Sequence, residues 1–390
     1  MFRFLFVVFA AYLFFPAYYA YFIAVLFLGF MFQILFHPRY LKISYYRIIS
    51  YRYWEFWPAQ IFYLPLIFII SYLCFHYRLF PKFLSLVNPC FPFGGLSFDS
   101  KYKMLLPFQI APDYIAQTLY ISPSSEKEEA IKNIQNTFSY PFVVKPDKGH
   151  RGNGFKIIRS PLELEAYLNN AKQAFLVQEY IPYPLEYGFF YIRLPYETKG
   201  FSPSITRKIL SEIKGDGISS LEKLIFQDPR SRYLSSIFME RNKENLRLIP
   251  KKGETIVLGR AGNHCQGAIF EDGKEDIREK TKEVLLQICD SVPGFDFGRM
   301  DIKFKNAESL QSGNGFKILE VNGTEAEFTH IYDRKNNLFY AYRELYRQWN
   351  FIFQIATMRK KKGEKSRSLL KLLKLYLKFF LFETKKTLSD

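Results

Sequence analysis

Phe142-Val143-Val144-Lys145-Pro146-Asp147-Lys148-Gly149-His150-Arg151-Gly152-Asn153-Gly154-Phe155 reads as a buried strand, a glycine-rich turn and a second strand. The apolar run leads into Lys145, and Pro146 ends the ladder. Gly149, Gly152 and Gly154 let the backbone come close to something bulky and anionic. Lys145, Lys148 and Arg151 place positive charge beside it. The stretch is neither a Walker A loop nor a dinucleotide fingerprint. No Gly-Lys-Ser/Thr closes it, and a strand follows where those motifs need a helix. Alone, the pattern also describes a charged surface hairpin, so its meaning depends on the rest of the chain.

Two later segments supply that context: Gly298-Arg299-Met300-Asp301-Ile302 and Ile318-Leu319-Glu320-Val321-Asn322-Gly323. In each, an apolar strand carries polar groups at alternate positions, so Arg299 and Asp301 share one face, as do Glu320 and Asn322. Side by side, the two strands would gather two carboxylates, an amide oxygen and a guanidinium. Hard oxygen ligands of this kind suit Mg²⁺, which is held by one or two carboxylates plus substrate phosphates. The guanidinium would stabilise charge developing in phosphoryl transfer.

Around these motifs the chain reads as alternating short strands and helices, a mixed α/β or α+β domain. Phe175–Ile181, Glu186–Leu194, Ser204–Leu210, Gly298–Phe304 and Phe316–Val321 are predicted strands. Ser160-Pro161 starts a helix with a cap and a proline in the first turn. Ser100 begins a short helix through Lys101, Ser219-Ser220 another, and Ile277–Cys289 is amphipathic. Residues 81–100, rich in Pro and Gly, read as a boundary or a substrate-side loop.

The 390 residues allow two or three domains, and the net charge of +17 calls for an anionic partner. No fold that binds nucleic acid accompanies the charge, so nucleic acid is not expected. The four cysteines, at 74, 90, 265 and 289, lack metal-ligand or CxxC spacing. Residues 4–36 carry no charge. That exceeds both the roughly 20 residues of a bilayer span and the roughly 7–15 residue core of a signal peptide. A second apolar stretch, 59–75, is broken by Pro65 and reads as interfacial or re-entrant beside one true span at 4–36, with a helical hairpin that violates the charge rule as the alternative. The linker 37–58 bears Arg39, Lys42, Arg47 and Arg52 against Glu55 alone, which places it on the cytoplasmic side. Trp54 and Trp57 would suit an interfacial belt. The tail, 359–390, holds eleven Lys or Arg residues interleaved with leucines. It reads as a basic amphipathic helix for an anionic membrane lipid surface, or as a helix docked on the body.

Taken together, VVKPDKGHRGNGF, LVQEYI followed by Glu186, GRMDIKF and ILEVNG resemble the ATP-grasp superfamily, in its D-alanine–D-alanine ligase-like, carboxylate–amine ligase branch. The resemblance covers roughly residues 99–350. It implies an α+β ATP-grasp fold, two α+β subdomains sandwiching ATP, preceded here by N-terminal hydrophobic membrane helices. The expected organisation is an anchoring region 1–80, a linking segment 81–140, a catalytic domain 141–350 and a basic tail 359–390, with the catalytic domain cytoplasmic.

By the same resemblance Lys145 and Lys101 contact ATP phosphates, and Lys148, Gly149, Gly152 and Gly154 belong to the flap over them. Glu179, Tyr180 and Ile181 form the hinge meeting adenine, and Glu186 holds the ribose. Asp301, Glu320 and Asn322 bind two Mg²⁺ ions, and Arg299 lies beside the transferred phosphoryl group. The implied chemistry is phosphorylation of a carboxylate by ATP, then attack by an amine or similar nucleophile. Gly215–Glu222 resembles a flexible segment of cyanophycin synthetase-like ligases. The loop Gly323-Thr324-Glu325-Ala326-Glu327-Phe328 departs from the D-alanine ligase pattern, which puts D-alanine in doubt. Arg260, Asn263 and His264 are placed near the acceptor, and Arg207, with Lys208 beside it, within reach of phosphate. Kinase-like transfer to a lipid- or sugar-linked acceptor, and a non-catalytic nucleotide-binding scaffold, remain open alternatives.

Overall fold

The computed structural model describes residues 21, 24–25, 27–29, 31, 38–96, 98–149, 154–171, 173–259 and 262–378. Most of the uncharged stretch 4–36 lies outside them. So do the turn tip 150–153 with Gly152, Arg260, and residues 379–390.

Helix α1 (Pro38–Ser50) lies against the body, where Ile43 joins a small apolar cluster and Arg39 makes a two-pronged pair with Glu222. Helix α2 (Leu64–His76) has Pro65 in its first turn, where the missing N–H costs nothing, so the proline starts the helix rather than breaking the stretch. Phe62, Leu66 and Leu73 are buried against the C-terminal part of the chain. Three such side chains at about 1.5–3 kcal/mol each suffice to dock the helix on protein. Among the described residues, Ala59–His76 is the one helical stretch long and apolar enough to cross a membrane by length and composition. Trp54, expected in an interfacial belt, is instead stacked between Phe62 and Tyr332, at 5.4 and 5.5 Å between ring centroids. Its large apolar ring finds protein partners.

Helix α3 (Lys101–Leu105) is capped by the Ser100 hydroxyl, which accepts from the Lys103 N–H. The first sheet follows, antiparallel, with β1 (Thr118–Ile121), β2 (Phe142–Pro146), β3 (Lys156–Ile158) and β4 (Phe175–Glu179) in the order β1-β4-β2-β3. Strand alternation turns Phe142, Val144, Phe175 and Val177 toward α4 (Lys127–Thr137) and α5 (Pro161–Asn170), through Ile134 and Leu164. Ser160 caps α5, and Pro161 occupies its first turn, as the sequence requires. The opposite face carries Val143, Lys145 and Gln178.

The second sheet has five antiparallel strands. β5 (Leu185–Ile192) and β6 (Ile205–Ile209) come first. β7 (Glu212–Lys214) and β8 (Thr255–Val257) form a separate pair beside α6 (Leu221–Gln227). β9 (Ile269–Asp272), β10 (Phe297–Phe304) and β11 (Phe316–Asn322) complete the order β11-β10-β5-β6-β9. One face buries Tyr187, Phe189, Met300, Ile302 and Ile318 against α7 (Glu279–Asp290) through Leu285 and Ile288. The other face is divided. Phe190, Ile192 and Phe297 lie in a core shared with α2 and α8 (Leu338–Lys361). The rest of that face is polar and forms the floor of the site. The tail helix α9 (Leu369–Lys378) docks through Leu372 onto Leu96 and Phe98.

The Pro/Gly-rich passage 81–100 is fastened to the second sheet. The buried Asn88 amide donates to the Phe297 and Gly94 carbonyls, and its oxygen accepts from the Asp296 and Phe297 N–H groups. Gly95 lies so close to Gly323 that a Cβ there would sit 2.6 Å from the Gly323 Cα. This loop therefore forms a wall beside the end of β11.

Candidate active site

Strands β10 and β11 pair with Arg299 opposite Asn322 and Asp301 opposite Glu320. Alternation puts all four side chains on the polar half of the sheet face. Gly188, opposite Asp301 on β5, clears the space beside them, since a Cβ there would lie 3.0 Å from the Arg299 Cδ. Arg299 Nε donates to Asp301 Oδ1 at 2.9 Å, and Lys208 Nζ reaches the same oxygen at 3.1 Å. Lys208 also donates to Glu186 Oε1 at 3.1 Å. Burial opposes ionisation of Asp301, but the Arg299 and Lys208 cations outweigh it and hold its carboxyl well below the ordinary range. Glu320 behaves alike: burial raises it, yet Lys101 and Lys145 bring it down to about 2.

The first sheet and helix α3 supply the facing cations. Lys145 Nζ donates to Gln178 Oε1 at 3.1 Å and to the Leu319 carbonyl at 3.2 Å, and lies 3.7 Å from Glu320 Oε2. Gln178 Nε2 donates to that same carbonyl at 3.0 Å. Lys101 Nζ pairs with Glu320 Oε1 at 2.6 Å. Asp147, two residues past Lys145, positions Lys101. Its carboxylate accepts from the Ser100 hydroxyl and the Tyr102 N–H, and its carbonyl from the Lys101 N–H. Four cations (Lys101, Lys145, Lys208, Arg299) thus meet three carboxylates (Glu186, Asp301, Glu320), with Glu327 also acting on Arg299. Residues 180–184 join the two sheets at the rim, and Lys303 Nζ donates to the Ile181 carbonyl beside the Tyr180 ring.

Lys145 of the first sheet and Lys101 of α3 thus face the carboxylates of the second sheet, a charge arrangement suited to an anionic ligand. A model of the tubulin-tyrosine ligase family matches residues 103–188. The chain is 25% identical over 229 residues to the glutathione biosynthesis bifunctional protein GshAB of Clostridium perfringens, covering 53% of this chain and 28% of that protein. It is 27% identical over 222 residues to cyanophycin synthetase of Synechocystis, covering 52% of this chain and 25% of the other. Together these matches indicate the ATP-grasp superfamily. The chain spans about a quarter of the length of these two relatives. Among solved structures, D-alanine–D-alanine ligase from Bacillus anthracis overlays with a TM-score of 0.41 at 12% identity, covering 69% of this chain and 70% of that one.

Within this two-sheet body the expected site residues divide. Lys101, Lys145, Glu186, Arg299, Asp301, Glu320 and Asn322 are brought together. Lys148 and Gly149 lead from β2 into the undescribed turn tip, and Gly154 leaves it with φ +74°. Glu179 closes β4, where its carboxylate accepts from the Gln117 N–H. Arg207 does not join the cluster. It pairs across from Tyr187, whose ring lies in the opposite core, while Lys208 pairs across from Glu186 and points into the site. One residue of strand parity separates them. Asn263 accepts at its carbonyl from the Gln266 and Ala268 N–H groups, within the loop that brings Gly262 against Glu186. His264 is buried and stacked on Tyr332, with Glu55 Oε2 at 3.3 Å and Arg230 at 3.4 Å. Burial lowers its pKa, with Glu55 acting against it.

The donor set fits a hard divalent cation. Among the described residues no three His, Cys, Asp or Glu cluster as a metal cage. The Asn322 Nδ2 is buried without a partner. A flip of the amide sacrifices no hydrogen bond at that atom and turns the oxygen into the same space.

Proposed function

We propose that the protein is an Mg-ATP-dependent carboxylate–amine ligase, membrane-anchored through residues 4–36, that acts on a membrane-associated or cell-envelope substrate. The observation that carries the chemistry is the convergence of Lys101 and Lys145 on Glu320, opposite Arg299 and Lys208 on Asp301. Asp301, Glu320 and Asn322 would hold Mg²⁺, which when bound neutralises phosphate charge. Lys145 and Lys101 exchange Glu320 for phosphate oxygens. The backbone from Glu179 to Ile181 borders the adenine position, and Glu186 accepts from ribose hydroxyls. Arg299, fixed by Asp301, lies where the transferred phosphoryl group meets the substrate carboxylate. That carboxylate oxygen attacks the terminal phosphorus of ATP, ADP leaves, and an amine then displaces phosphate from the acyl carbon and loses a proton. The two ligase relatives in sequence support this reaction class.

The test is turnover by the full-length protein in detergent with Mg-ATP and pooled carboxylic acids and amines, including lipid-linked ones, with products resolved. ADP and phosphate formed only when both pools are present support the ligase. AMP and pyrophosphate refute it. ADP with a phosphorylated acceptor and no free phosphate indicates a kinase instead.

A pH signature follows from Glu320. Its folded pKa of about 2 lies below the 4.5 of a free glutamate, so the stability it adds is complete above about pH 4.5 and fades as pH falls toward 2. The melting-temperature gap between wild type and Glu320→Gln therefore stays constant from pH 7 to about 5 and narrows below 4.5. A gap that closes near pH 6 contradicts the pairing.

A further inference from the structure

The helix α2 has two unlike sides. Its inner side is closed against protein, with Leu73 fully buried. Its outer side is an unbroken apolar stripe. Leu64, Phe68, Tyr72 and Phe75 recur at three- and four-residue spacing and are all exposed, Phe68 at 72% and Phe75 at 84%, and Ile61, in the short helix Ala59–Phe62 just before, extends the row. Phe80 continues it at 71%. Contiguous exposed apolar surface of this kind marks an interaction site rather than ordinary surface scatter.

The surrounding charge selects the occupant. From residue 56 to residue 98 the sequence contains no Asp or Glu. Arg78, Lys82 and Lys360 gather at the C-terminal end of the helix, where Lys360 Nζ lies 4.8 Å from the Phe83 ring centre and donates to the Arg78 carbonyl. Beyond the turn Pro81–Leu86 the tail helix α9 repeats the design. Leu372 is buried on the body, while Leu370, Leu373 and Leu377 are exposed beside Lys371 and Lys374. Arg367 ties the start of this segment to that turn through Ser85 and Pro92. Aromatic and aliphatic side chains edged by cations, although Glu327 accepts from Tyr63 and Glu325 from Tyr376 nearby, are complementary to lipid tails beneath anionic head groups. The uncharged residues 4–36 precede α1 in the sequence, and the anchor proposed for them would bring a bilayer near.

We infer that the outer side of α2, with Phe80 and the outer leucines of α9, is a monotopic seat. It lies in the surface of an anionic bilayer while the inner side of α2 stays on protein, so residues 59–76 do not span. The inference builds on the membrane association proposed above but is read independently of turnover.

The experiment is photolabelling of the wild-type full chain in vesicles of phosphatidylcholine and phosphatidylglycerol carrying a diazirine phospholipid, with adducts located by mass spectrometry. Adducts are expected on Leu64, Phe68, Tyr72 and Phe75 and not on Phe62, Leu66 or Leu73. The double variant Phe68→Glu with Phe75→Glu is expected to lose them while residues 4–36 remain labelled. Adducts on both sides of the helix mean a span and overturn the inference. Labelling of 4–36 with none in 59–80 overturns it too and assigns the stripe to another protein surface, such as a second copy. A chain without adducts anywhere is not seated on lipid, which equally overturns it.

Discussion

Asp301→Asn is expected to lose about a thousandfold in nucleotide turnover, with the fall in kcat rather than in KM. Two losses combine. The neutral amide no longer offers a full carboxylate to a divalent cation. It also removes the anion that holds Arg299 and Lys208, which both converge on Oδ1. The amide nitrogen would face one of those donors, hydrogen to hydrogen, so Arg299 loses its aim. A preorganised donor at the reacting phosphorus is alone worth roughly 10²–10³. The measurement is ADP release by the purified variant once a substrate pair is found. A fall of less than tenfold would show that Asp301 is not a metal-binding or positioning group.

Asp296→Ala is expected to cost roughly 3–5 kcal/mol of stability, the toll of uncovering buried charge. Asp296 is 1% exposed and lies just before β10. Arg193 Nε donates to it at 3.1 Å, and Arg359 Nε, from the last turn of α8, at 3.2 Å. Arg193 keeps three backbone carbonyls without it, from Asp290, Val292 and Phe295. Arg359 keeps only Glu364 among the bonds described. The melting temperature should fall by roughly 10 °C at about 2–4 °C per kcal/mol. Adding Arg359→Met should return part of the loss, because the stranded charge goes with it. A drop below about 3 °C would mean that water enters and resolvates the arginines.

The chemistry of the site was legible where strand alternation governs it. Arg299 with Asp301, and Glu320 with Asn322, share a face because successive strand residues point oppositely, and their register then follows from pairing. The capped starts at Ser100, Ser160 and Ser220 were legible for a similarly local reason. Lys208 could not be told from Arg207, since two adjacent cations on a strand differ only in parity, which the partner strands decide. Gln178 left a fainter signal, a polar residue within Phe175–Glu179, and its bond to the Leu319 carbonyl depends on how two sheets meet. The pairing of Glu55 with Arg230 and His264 joins residues about two hundred positions apart, and no local pattern encodes it.

The Lys101–Glu320 pair has a consequence for how the protein is made. Its partners are 219 residues apart in the chain. At a ribosomal rate of roughly 5–20 residues per second, Lys101 waits on the order of 10–40 s before Glu320 is even polymerised. During that interval the first sheet, complete by Glu179, can fold, but nothing on the nascent chain can mount a nucleotide reaction. Under the proposed function, the site would be completed late in translation and all at once, so a product truncated before Glu320 would not consume ATP.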